Sequence, residues 1–234
     1  MSRQNTPASV TDRRQFLKTA TALAAPYIGW KTTTHGQSPN AALRYACFGS
    51  NGRAWGNIQS MAGVPNCTLV AVAEVDSARL GHVKKGFPEA KVYADWRQLL
   101  EKEAGNIDAI VCGTPDHLHA PITMSAMQLG KHAYCEKPLT RTLHEARVIR
   151  EYAEANGLVS QMGIQVSSSG GNRTPVAWLQ QGLIGKIKSV HSMNPKSWGS
   201  LDKLPDRTDP VPATLDWEIW VGPARMRPFL AGEF

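Results

Sequence analysis

The sequence predicts an α/β protein: a doubly wound parallel sheet, followed by the start of an incomplete second α+β domain. Two observations predict this. Between residue 43 and about residue 165, short apolar runs alternate with stretches of helical periodicity, the pattern of a parallel sheet covered on both faces. Two of those runs, CTLVAVAEV (67–75) and IDAIVCGTP (107–115), are almost continuously apolar, as strands buried on both sides must be.

The elements follow in order. LRYACFG (43–49) reads as a strand ending in glycine and RAWGNIQSMAG (53–63) as a helix. CTLVAVAEV is the second strand. DSARLGHVKKGF (76–87) reads as one helix capped by Asp76 or Ser77, residue types whose side-chain oxygen satisfies a free amide at a helix start. KVYAD (91–95) is a short strand, WRQLLEKEA (96–104) a helix and IDAIVCGTP the fourth strand. HAPITMSAMQLG (119–130) is a helix closed by Gly130, and HAYCE (132–136) is the fifth strand. Thr142 and Glu145 have capping-box spacing ahead of a helix running to about Asn156, with Gly157 at its end. LVSQMGIQ (158–165) is the sixth strand. Beyond it, VSSSGGNR (166–173) reads as a loop, TPVAWLQQGLIG (174–185) as a helix and KIKSVHSMN (186–194) as the first strand of a second domain. A stretch rich in Pro, Asp and Trp follows, including LDWEIWVGPARMRPF (215–229). The expected divisions are 1–40, 41–165 and 166–234, the last being only part of a domain.

Composition narrows the function classes. With 42% hydrophobic and 19% charged residues the chain lies in the globular range. No apolar run approaches the roughly 20 residues of a membrane span. The net charge of +7 is uneven: residues 1–40 carry +4 and the remainder +3. No basic stripe with interleaved aromatics is visible, so nucleic acid is not an expected partner. The basic excess has another reading. DRRQFLK (12–18) precedes the uncharged TATALAAPYIGW (19–30), which together have the order of a signal peptide with cleavage near Ala24 or Ala25. Arg13 and Arg14, followed by Phe16, Leu17 and Lys18, resemble a twin-arginine export signal. That implies a periplasmic protein exported already folded, with no membrane segment in its mature form; a disordered basic tail is the alternative. Cys47, Cys67, Cys112 and Cys135 form no CxxC pair and read as buried reduced thiols, with a disulfide still open. Their scatter, without tight Cys/His spacing, argues against a metal site.

The unusual residues fall at strand ends, where open parallel sheets bind ligands. Strand one ends in GSNGRAWG (49–56), with Gly49, Asn51 and Ala54 at the three positions of the G-x-G-x-x-G/A dinucleotide fingerprint. Asn51 replaces the second glycine, and Asn tolerates positive φ better than most residues. Alone, the loop is equally well a glycine turn. Strand two ends in AEVD: Glu74 stands about where an acid bonds the ribose hydroxyls and disfavours a 2′-phosphate, while Asp76 reads as a helix cap. That favours NAD over NADP and, with the glycine loop, makes the first domain a Rossmann domain. Strand four ends in GTPDHLH (113–119) and strand five in EKP (136–138).

Taken together, FGSNGRA, AEVD, GTPDHLHAPITMSAMQLGKHAYCEKPL and QMGIQ, in this order, resemble the glucose–fructose oxidoreductase/inositol dehydrogenase family (Gfo/Idh/MocA). The resemblance covers 43–165 densely and 166–234 more loosely. It implies a pyrophosphate loop at Gly49, Ser50, Asn51, Gly52, Arg53 and Ala54, and a ribose-binding acid at Glu74. It implies a turn beside the nicotinamide ribose at Thr114, Pro115, His117 and His119, and Gln165 near the nicotinamide. Glu136 and Lys137 correspond to the EKP pair, with Pro138 often cis and Lys137 as catalytic acid/base. Burial and neighbours would tune the lysine, and Glu136 would orient it or bond the ribose. Taken in isolation, Lys137 reads equally as half of a surface ion pair.

What the resemblance implies is hydride transfer between NAD (NADP less so) and a sugar, polyol or related hydroxylated substrate, in a protein whose complete relatives are homo-oligomers. The family's second motif, an Asp and a His on a later helix, has no counterpart before Phe234, and His191 is not that histidine. The chain is therefore expected to be C-terminally truncated. An NAD-dependent glycosidase of the same superfamily and an inactive nucleotide-binding remnant stay open as alternatives.

Overall fold

The computed structural model describes residues 42–194 and 205–233. The signal-like segment and its paired arginines lie outside the described residues.

Six strands form one parallel sheet in the order β3-β2-β1-β4-β5-β6. They are β1 (Leu43–Phe48), β2 (Cys67–Ala73), β3 (Lys91–Tyr93), β4 (Ala109–Cys112), β5 (His132–Glu136) and β6 (Ser160–Gly163). The principal helices between them are α1 (Gly52–Ala62), α2 (Gly81–Gly86), α3 (Trp96–Glu103), α4 (His119–Gln128) and α5 (Leu143–Ala155). This is the doubly wound architecture predicted from the apolar alternation.

The near-continuous apolar strands feed two cores, one on each face of the sheet. Along β1, Tyr45 and Cys47 face a core with Ala54 and Ile58 of α1 and Val83 of α2. Ala46 and Phe48 face the other, with Leu99 and Leu100 of α3, Ile122 and Met127 of α4 and Ile149 of α5. Each large side chain so buried is worth about 1.5–3 kcal/mol, and the period-two alternation of a strand serves both faces. Sequence signals set the helix starts. Asp95 accepts from Arg97 N ahead of α3, and Thr142 with Glu145 forms the expected capping box ahead of α5.

Local expectations fail at four places. The helix read over 76–87 is broken into a 3-10 turn at Ser77–Arg79 and the short α2, with Asp76 capping the turn through Ala78 N. VSSSGGNR is not a loop: its end opens a helix, α6 (Gly170–Gln180), which accommodates Pro175 in its interior. KIKSVHSMN forms no strand, and residues 186–194 are exposed. An extended segment needs a neighbouring edge for its backbone groups, and no described strand pairs with it. β6 ends at Gly163, so Gln165 begins a 3-10 turn instead of closing the strand.

Residues 205–233 pack onto the carboxyl-end edge of the sheet. Leu215 bridges Asp76, Ser77 N donates to Thr214 O and Asp216 N donates to Val75 O. The segment carries a one-turn helix, α7 (Trp217–Val221), capped by Asp216 through Ile219 N at 3.0 Å. Val221 and Leu230 are buried. Among the described residues, no helix is long and apolar enough to cross a membrane.

Candidate active site

Strand order reverses between β1 and β4, so the helices that follow these two strands leave on opposite faces and open a crevice. Gly49 turns the chain out of β1 at φ 89°, a conformation L side chains resist. A Cβ on Gly49 would also stand 3.0 Å from the Gly113 carbonyl oxygen. Across the crevice, a Cβ on Gly113 would lie 2.9 Å from Ala54 Cβ and 3.0 Å from Ala54 Cα. The small third fingerprint residue and Gly113 thus let the first turn of α1 seat against the end of β4.

Asn51 does not use a positive φ. It is extended, at φ −122°, and acts as N-cap, accepting from Gly52 N at 2.8 Å. Gly52 supplies the second positive φ, 53°. Ser50 is fully buried, while Asn51, Gly52 and Arg53 are exposed along the loop.

Glu74 stands at the end of β2, but most of its capacity serves the chain. Its Oε2 accepts from Ser50 N at 2.9 Å and Ser50 Oγ at 2.8 Å, and its Oε1 accepts from Asp76 N at 3.1 Å. A carboxylate has about four acceptor positions, so one on Oε1 is left for a ribose hydroxyl. Beside it lies an open cavity of about 580 Å³, lined by Glu74, Val75, Ser77 and Leu80 and bordered by Thr214, Asp216 and Trp217. His82 Nε2 lies 2.6 Å from the Ser50 carbonyl oxygen, which can only accept, so the ring donates. These features suit a dinucleotide: a tight glycine turn, exposed loop residues at a helix start and a carboxylate with one acceptor position to spare.

The turn after β4 holds Thr114, Pro115, His117 and His119. His117 Nε2 donates to Trp220 O at 2.7 Å and its ring meets Trp220 edge-on, so the tail engages it. His119 is fully buried, with Nδ1 2.6 Å from Pro138 O and Nε2 2.9 Å from Thr114 O. Unlike the exposed loop residues of the glycine turn, its ring is sealed between the two turns.

The scatter of the cysteines is also corrected. Cys112 and Cys135 are register partners on β4 and β5, and with His119 they offer ligand atoms within 4.8 Å of one another. Both ring nitrogens of His119 face carbonyl oxygens, however, which leaves no imidazole lone pair aimed at a cation. The thiol of Cys47, buried on the other face, is pushed up by burial and, second, by Glu74.

Beyond β5 the two charged residues diverge. Glu136 is buried and its Oε1 accepts from Asn57 Nδ2 at 2.9 Å and Tyr134 OH at 3.5 Å. Burial first, then Glu136, raises the Tyr134 phenol. A Cβ on Gly163 would fall 2.6 Å from Glu136 Cδ, so β6 has a glycine where the carboxylate lies. Lys137 is exposed and its bond to Pro138 is cis. The described residues therefore do not supply the burial invoked to tune it. Gln165, with its amide oxygen toward Arg53, accepts from Arg53 Nη2 at 3.0 Å and donates to Gly163 O at 3.3 Å, which ties the α1 start to the end of β6. Sequence reasoning missed Asn57, His82, Tyr134 and the two glycines at 113 and 163. Only the apolar-to-Gly step after IDAIVC hinted at one of them.

A parallel sheet with this strand order, a glycine turn at its reversal point and polar groups gathered at its carboxyl edge defines a nucleotide-binding enzyme domain. Residues 25–164 match the Gfo/Idh/MocA family, described as an oxidoreductase family with an NAD-binding Rossmann fold, and the chain belongs to that family. It is 26% identical over 129 residues to levoglucosan dehydrogenase of Pseudarthrobacter phenanthrenivorans, a match covering 55% of this chain and 33% of the relative. An α-N-acetylgalactosaminidase of Shewanella oneidensis is 25% identical over 203 residues, covering 75% of this chain and 44% of the relative. The scyllo-inositol dehydrogenase of Lactobacillus casei, solved with NAD(H) and scyllo-inositol bound, superimposes with a TM-score of 0.57. That match is at 22% identity and covers 62% of this chain and 43% of the other. The chain thus spans less than half the length of each of these three proteins.

Proposed function

We propose that the protein is an NAD-dependent oxidoreductase that moves a hydride between the nicotinamide and a carbinol of a sugar or polyol, with Lys137 as acid/base. The observation that supports this reading is that Lys137 is exposed just past the carboxyl end of β5, beside Pro138, whose carbonyl shares the His119 ring with the Thr114 carbonyl, and next to Glu136, which is held by Asn57. The cofactor supplies the hydride acceptor. Gly49 to Ala54 hold the pyrophosphate, and the free acceptor position on Glu74 Oε1 takes a ribose hydroxyl and disfavours a 2′-phosphate, which ranks NAD above NADP. Thr114, Pro115 and Gln165 border the nicotinamide. As an alcohol carbon gives up hydride, its oxygen must give up a proton, and an amine near that oxygen accepts it at Nζ. Glu136 anchors the turn that carries the lysine.

The test is Lys137→Ala, assayed with NAD+ and a panel of polyols. Turnover is expected to fall at least 100-fold, with the Kd for NAD+ within about threefold. Undiminished turnover would remove Lys137 from the chemistry.

The galactosaminidase match, which covers more of this chain than the levoglucosan dehydrogenase match, favours one second reading: transient oxidation that assists glycoside cleavage. Release of phenol from an aryl glycoside without net NADH would support it. We also propose that residues 1–40 direct export by the twin-arginine route to the periplasm. A folded reporter fused behind them should be exported, and Arg13→Lys with Arg14→Lys should stop it; export indifferent to both changes would refute the assignment.

A further inference from the structure

His119 opens α4 as a fully buried ring wedged between two turns. Its two nitrogens face two main-chain oxygens, Thr114 O at 2.9 Å and Pro138 O at 2.6 Å. A carbonyl oxygen only accepts, and a neutral imidazole has one donor and one lone pair. With one proton, the ring would press a lone pair against a carbonyl in a site without solvent. With two protons, both contacts are charge-assisted hydrogen bonds, which are short and strong. The two oxygens belong to different parts of the site: Thr114 follows β4, and Pro138 follows Lys137 after β5.

We propose that His119 is a positioning residue, a ring carrying protons on both nitrogens that ties the Thr114 carbonyl to the Pro138 carbonyl and so fixes Lys137 against the Thr114–Pro115 turn. The functional consequence rests on Lys137 being the acid/base; the protonation and the tie do not. Burial and the helix start both disfavour a cation here. The Cys135 sulfur and the Pro138 and Thr114 carbonyls outweigh burial and raise the group to about 9. The titratable groups facing the ring are the thiols of Cys112 and Cys135. Because the folded value lies above the ordinary 6.5, the tie is complete at neutral pH and below and is lost as the pH rises through 9.

Two measurements test this. The first is nitrogen NMR of the histidine rings in the full chain at pH 7, with His119→Gln used to assign the signal. Two protonated nitrogens on His119, persisting until the pH nears 9, are expected; one protonated and one bare nitrogen at pH 7 would overturn the proposal. The second is the NAD+ affinity from pH 7 to 10. Wild type should weaken severalfold above pH 9. His119→Gln, whose amide can donate at only one end, should be weaker at pH 7 and flat with pH, and Lys137→Ala should follow wild type. A His119→Gln profile superimposing on wild type would refute the tie. Lys137→Ala with unaltered turnover would instead remove only the catalytic reading, leaving the NMR result in force.

Discussion

Gly113→Ala is the perturbation that most directly tests how the crevice is built. The new methyl group would be placed 2.9 Å from Ala54 Cβ, 3.0 Å from Ala54 Cα and 3.2 Å from Ala54 N. Ordinary contact between such atoms needs about 3.5–4.0 Å, so one side must retreat by roughly 0.5–1 Å. Two of the three obstructing atoms are backbone, and no rotamer change removes them. Gly113 is itself held, its N donating to Phe48 O at 2.9 Å. The strain therefore falls on the first turn of α1, which must lift away from β4. Overpacking of this kind costs about 1–3 kcal/mol, which for a domain of this size lowers Tm by roughly 2–12 °C. Displacing the loop that would hold a pyrophosphate should also weaken NAD+ binding about tenfold or more, for a loss of about 1.4 kcal/mol or more. Calorimetry gives the first quantity and titration the second. Gly105→Ala is the control: a Cβ there meets nothing within 4 Å, so both quantities should stay near wild type. Gly113→Ala matching that control in both quantities would mean a crevice looser than the contact distances require, and would refute this account of how it is built.

Gly163→Ala should act on the other side of the site. Its methyl group would take the space of the Glu136 carboxyl, 2.6–2.7 Å away, and a flexible side chain can move where a backbone cannot. The expected result is a Tm loss smaller than that of Gly113→Ala, with loss of the Asn57–Glu136 hydrogen bond visible as a changed Asn57 side-chain amide signal. An unmoved amide signal would refute the arrangement. Acid stability should depend on Glu103, which is buried under Tyr93 OH, Lys91 Nζ and Asn106 Nδ2. The Tyr93 hydrogen bond first, then the Lys91 one, lowers its pKa from 4.5 to about 2 against the opposing effect of burial. A depressed folded value means that the contribution is present above about pH 4.5 and is lost as the pH falls toward 2. Glu103→Gln should flatten that part of the stability–pH curve, and an unchanged slope would count against it.

The sheet was legible in the sequence because both its faces are buried. CTLVAVAEV and IDAIVCGTP can satisfy two cores only as central strands, and Thr142 with Glu145 announces a helix start independently of tertiary context. KIKSVHSMN failed because β propensity describes a fit to a neighbouring strand, which no described residue provides. VSSSGGNR was misread because glycines and serines weaken a helix without forbidding one. The strand-end rule put Glu74, the Thr114 turn and Lys137 at the carboxyl ends of β2, β4 and β5, where they stand, since it depends on topology alone. It could not divide labour within a turn. His117 and His119 are two residues apart, yet one meets the tail and the other is sealed between two carbonyls. Asn57, His82 and Gly163 come from a helix face, a broken helix and the last strand, and no spacing along the chain connects them to their partners.

The border that Thr214, Asp216 and Trp217 lend to the cavity beside Glu74 joins early and late parts of the chain. A ribosome finishes the glycine turn, Glu74 and all six strands well before it reaches Trp217. Glu74 therefore meets that border only once residues 213–217 have been made.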